Sequence, residues 1–126
     1  MASSVPWNQI NGAITTIDAN AAPILSVPIF DTDVTVSMEI NIVARRQSNS
    51  DAKTWHQVVL IDKTSDATPT STSLVNLMTP TGTLDSATWN FSTTFDNDHA
   101  IVNVIGQVGA TINWFASAWA MAVMGD

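Results

Sequence analysis

The chain has 126 residues, no cysteine, and eleven acidic against four basic residues, for a formal charge of −7. That length suits one hydrophobic core; the missing thiols exclude disulfides, thiolate metal sites and cysteine nucleophiles; and the negative balance argues against nucleic acid or an anionic membrane as partner. Only 12% of the residues are charged, against roughly 25% in an average domain, so serine, threonine and asparagine must carry the wet faces.

Residues 1–12 contain Pro6, Trp7 and little periodicity, and are expected as an extended N-terminal arm, with the domain proper in residues 13–126. The start lacks the basic and apolar regions of a signal peptide. Trp7 and Ile10 either fold back on the domain edge or reach a neighbouring subunit, since exposed tryptophan is favoured at contact centres. Residues 13–17 form a first short strand. Residues 23–30 form a second, and Pro23 and Pro28, which lack an N–H, place it at a sheet edge.

Residues 33–46 organise the chain. Val34, Val36, Met38, Ile40 and Ile42 alternate with Thr35, Ser37, Glu39 and Asn41, and a period of two sends them to opposite faces of an extended backbone. This is expected to be the central strand of an antiparallel sandwich. Beyond the polar turn at residues 47–51, the run Thr54 to Ile61 pairs back as a hairpin, its second half apolar on both faces. Residues 63–73 have, proline apart, no apolar side chain larger than alanine and read as a long loop, followed by a short strand at residues 74–78.

Trp89, Phe91, Thr93 and Phe95 alternate with polar residues, giving a strand with an aromatic core face. Asp96-Asn97-Asp98 is its hairpin loop, Ile101 to Ile105 the return strand, and Gly106 and Gly109 serve a tight connection. The last strand starts at Thr111. Its continuation puts Phe115, Trp119, Met121 and Val123 on one face and alanines on the other, and either completes the core or forms a subunit interface. Strands about every 10 to 15 residues, with no amphipathic helix, give an all-β, single antiparallel β-sandwich of jelly-roll or Ig-like type.

No catalytic motif stands out. His56 and His99 lie in different segments without paired-histidine spacing, and no GxSxG elbow or phosphate loop occurs. Asp96, Asp98 and Asp62 could meet in space as a carboxylate set, but acidic residues in polar turns are usually turn formers. Asp96-Asn97-Asp98 opens like a calcium loop and lacks its glycine and distal glutamate. The expectation is therefore a non-enzyme with no metal and no cofactor. Five tryptophans in a small acidic β domain raise sugar binding as an option, although Trp55, Trp89 and Trp114 each fall in a strand pattern that suits a core.

From Val34 onward the order of features resembles a small β module of structural proteins of tailed bacteriophages and prophages. The matching pieces are Val43-Ala44-Arg45-Arg46, Trp55, Trp89, Asp96-Asn97, Val104-Ile105-Gly106 and Thr111-Ile112-Asn113-Trp114, over about two-thirds of the chain. The resemblance implies a virion protein assembled in the host cytoplasm. A chain beginning at its own Met1 without a fibre shaft is expected to be a capsid decoration, or cement, protein that bridges capsomers. Its partners would then be the major capsid protein, other virion proteins and copies of itself, with Trp7, Ile10, Trp119 and Met121 as contact residues. The alternative is a receptor- or carbohydrate-binding domain of a tail fibre or spike.

Overall fold

The computed structural model describes residues 3–64 and 67–125, with side chains described from Gln9 onward. Among these residues the chain forms eight strands: β1 (Ser3–Thr16), β2 (Ala21–Pro28), β3 (Val34–Arg46), β4 (Ala52–Lys63), β5 (Thr70–Gly82), β6 (Asn90–Phe95), β7 (His99–Ile105) and β8 (Ile112–Met124), with one 3-10 turn at Leu84–Ser86. They build two antiparallel sheets, a large one in the order β1-β8-β3-β4-β5 and a small one in the order β2-β7-β6. The β-sandwich expected from the strand pattern is the architecture observed.

β3 is the centre of the large sheet. Its even-numbered residues Val34 to Ala44 are buried and its odd-numbered ones are not, as strict alternation requires. β4 answers it, setting Ile61 against Val36, Val59 against Met38 and Trp55 against Ile42. From the small sheet Leu25, Val27, Val102 and Val104 close the core over them. Trp89 and Trp114 are buried at one end; the Trp114 indole N–H donates to Thr16 Oγ1 at 2.9 Å, and that of Trp89 to Gln107 Oε1 at 3.1 Å. Indoles bury well only when the N–H finds an acceptor.

Two segments, β1 and β5, differ from the sequence expectation. The first strand does not begin at residue 13: β1 starts at Ser3, so the stretch expected as an arm is extended and forms the edge of the large sheet, paired with β8 across a bulge between Val5 and Asn8. The strand expected at residues 74–78 is longer, and β5 takes in part of the expected loop. β2 does sit at an edge, and its register breaks just after Pro23. On β8 the facing is settled by size. Ala116, Ala118 and Ala122 point into the core, while Phe115, Trp119, Met121 and Val123 are exposed. The inward positions of β8 lie directly beside Ile42, Ile40, Met38 and Val36 of β3, whose bulk leaves room for a methyl group and little else.

Candidate functional site

Three places carry more than the fold requires. The first is the outer face of the large sheet. Down β8 it presents Phe115, Trp119, Met121 and Val123, between 38% and 50% exposed. Their neighbours on β3 are Val43, Glu39, Ser37 and Thr35 in turn, and on β1 Gln9 lies beside Trp119 and Ala13 beside Phe115. Leu60, Val75 and Met78 continue the apolar scatter over β4 and β5. In its middle His56 Nε2 is hydrogen-bonded to Glu39 Oε1, an acid and a base on adjacent strands.

Of the contact residues expected from the sequence, the described side chains divide between two faces. Trp119 and Met121 share this outer face. Ile10 points to the inner side, half-buried against the core, where it lines an apolar cleft of about 290 Å³ with Val27, Phe30 and Val36, and with Asp31 as the one carboxylate among the described residues. Trp7 belongs to β1 by its backbone, but its side chain lies outside the described residues.

The second place is a groove of about 180 Å³ between the inner faces of β4 and β5 and the free edge of β6. It exists because the large sheet has five strands and the small one three, so β5 projects past the cover that β6 provides. Its lining includes Trp55 and Phe91, the amides of Gln57, Asn76 and Asn90, and Thr93. The Trp55 ring is stacked on Trp114 at 5.6 Å and meets the Phe91 ring edge-on at 6.1 Å. Gln57 Nε2 donates to Asn76 Oδ1 at 3.0 Å across the strand pair. The Thr93 hydroxyl is buried and makes no hydrogen bond among the described residues. With Trp55 buried beneath it, the half-buried Phe91 ring beside the amides of Gln57, Asn76 and Asn90 suits a ligand with an apolar ring face and many hydroxyls. One signal for this site is legible in the sequence: Gln57 interrupts the otherwise apolar inward series Trp55, Val59 and Ile61. Asn76, Asn90 and Thr93 carry no such mark.

The third is the β6–β7 hairpin tip, where Asp96 and Asp98 converge on His99 Nδ1 at 3.3 and 2.7 Å. The Asp98 backbone N–H donates to the Asp96 carboxylate at 3.1 Å; that bond first, and the nearby His99 second, hold Asp96 below the ordinary carboxylate value. The ligand atoms of the three side chains lie within 4.8 Å of one another. The carboxylates already satisfy the imidazole and the loop backbone, which accounts for the cluster as a turn-forming device. Asp62, the third carboxylate considered with this pair, lies on β4 and accepts from Thr35 Oγ1. Among the described residues no helix is long and apolar enough to cross a membrane.

No family model and no curated protein matches this chain. Among solved structures it is similar to the tailspike protein of Acinetobacter baumannii phage AM24, at 10% identity and a TM-score of 0.43 over 96% of this chain. It is also similar to a tailspike protein of Acinetobacter baumannii bacteriophage Fri1 described as a capsular polysaccharide depolymerase, at 12% identity and a TM-score of 0.43 over 94% of this chain. The chain spans 26% and 19% of those two proteins respectively.

Proposed function

We propose that this chain is a bacteriophage virion structural protein, and within that class a tail-fibre or spike module that meets a carbohydrate receptor in the groove beside β6. The observation that carries the reading is the lining of that groove, with the half-buried Phe91 ring next to the amides of Gln57, Asn76 and Asn90. The capsid cement reading needs a free clamp reaching neighbouring capsomers, and residues 3–16 are instead held in the chain's own sheet along β8. The exposed stripe of Trp119 and Met121 on the outer face supports docking on another virion protein in either setting.

Titration of the protein with a panel of bacterial capsular and O-antigen oligosaccharides, followed by tryptophan fluorescence, tests this. At least one sugar should give a saturable change, weakened about tenfold or more by Asn90→Ala, the loss expected of one or two ligand hydrogen bonds. A panel with no response, together with uptake of the protein by purified capsid shells and a rise in their melting temperature, would return the cement reading.

A further inference from the structure

Among its described lining residues the groove beside β6 holds no charged side chain, in a chain of formal charge −7. Among the described residues no cation is placed to offset that balance there. Lys53 and Lys63 donate to the Trp89 and Ile29 carbonyls at 2.8 and 2.7 Å, and Arg45 and Arg46 end β3, which contributes no residue to the lining. A carboxylate or sulfate entering the groove would approach a body of its own sign, with only neutral amides to replace its hydration. An uncharged ligand meets neither cost.

The amides set the polar side of the match. Asn90 Oδ1 accepts from the Phe91 backbone N–H at 2.9 Å, and Asn76 Oδ1 accepts from Gln57 Nε2 at 3.0 Å. Both carbonyl ends are thus engaged within the protein, and each of these exposed side chains keeps its NH2 group for a guest. The groove offers donors and calls for acceptors. An apolar seat lies beside them. Leu74 and Asn76 stand opposite Val59 and Gln57 of β4, at alternate positions of one strand and so on one face, and Leu74 is 52% exposed. A carbonyl oxygen for the amide, with a methyl group on the same carbon to cover Leu74, is the pattern of an acetamido group. The volume of about 180 Å³ is below the roughly 300 Å³ at which small-molecule pockets usually begin, which suits one sugar ring of a longer glycan.

We propose that the groove recognises an uncharged N-acetylhexosamine residue. Its ring face lies against Phe91, its acetamido carbonyl accepts from Asn76 Nδ2, its methyl group sits on Leu74, and a ring hydroxyl accepts from Asn90 Nδ2. The inference rests on the carbohydrate reading of this groove and narrows it to one class of sugar.

Calorimetric titration of the full chain tests it, with di- and trisaccharides of N-acetylglucosamine, N-acetylgalactosamine and N-acetylmannosamine, their glucose, galactose and mannose counterparts, and a glucuronate-containing disaccharide. At least one acetylated series should bind about tenfold or more tighter than its parent hexose, the worth of one hydrogen bond and one buried methyl, and the glucuronate sugar no tighter than the parent. Leu74→Ser, at an exposed position, should cut that preference about fourfold, the share of the methyl, with the far-ultraviolet circular dichroism unchanged. Parent or glucuronate sugars that bind as tightly as the acetylated ones, and still respond to Asn90→Ala, would overturn this inference while the carbohydrate reading stands. So would a preference indifferent to Leu74→Ser. Silence from every acetylated series overturns it too, and the carbohydrate reading falls with it only if the wider capsular and O-antigen panel is also silent.

Discussion

Lys63 is a charged residue in a core position, only 5% exposed, with its ammonium donating to the Ile29 carbonyl at 2.7 Å. The bond ties the end of β4 to the chain leaving β2. Lys63→Ala strands that carbonyl, and urea unfolding should show a loss of about 1–3 kcal/mol. Asp96 supplies a pH test. Its carboxyl is held below the ordinary value by the Asp98 N–H and by His99, so the unfolded state binds more protons in the window between the two values and stability rises with pH there. The contribution is present in full above the unfolded value of about 4 and is lost as pH falls through the folded value. Melting temperatures of wild type and Asp96→Asn should accordingly differ at neutral pH and converge in acid. Gly109 illustrates a residue-scale expectation only half met: it does adopt a positive φ of 76°, while Gly106 is needed because a Cβ there would sit 2.5 Å from Thr16 Oγ1.

Among the elements, β8 separates size from hydrophobicity. Alternation announces a strand but is silent about which of two apolar faces turns inward, and on β8 from Ala116 onward the inward face is the small one. Ala118 is 1% exposed opposite Ile40, while Trp119 beside it is 38% exposed. Ala118→Leu should therefore destabilise by about 1–3 kcal/mol through overpacking, and Trp119→Ala by less than about 1 kcal/mol, both read from denaturant midpoints. The reverse ordering would show that the faces have been assigned the wrong way round. β3 was legible because one face of it is buried along nearly its whole length, so period and burial coincide. β5 was half-hidden for the opposite reason. With neither face covered, nothing imposed an alternating pattern, and its serine- and threonine-rich start looks in sequence like a loop. The groove was illegible for a related cause: it is made by three strands whose proximity depends on how far one sheet overhangs the other.

At the scale of the whole molecule, the uneven layers and the negative charge act together. A large sheet of five strands over a small one of three leaves an uncovered margin at β5, and eleven acidic residues are distributed elsewhere. The overhang has one more effect. Because β5 contributes no buried side chain to the domain that carries it, substitutions there can alter what the molecule adheres to at little expense to whether it folds, leaving this one ribbon open to rapid change while the remainder stays bound to its packing.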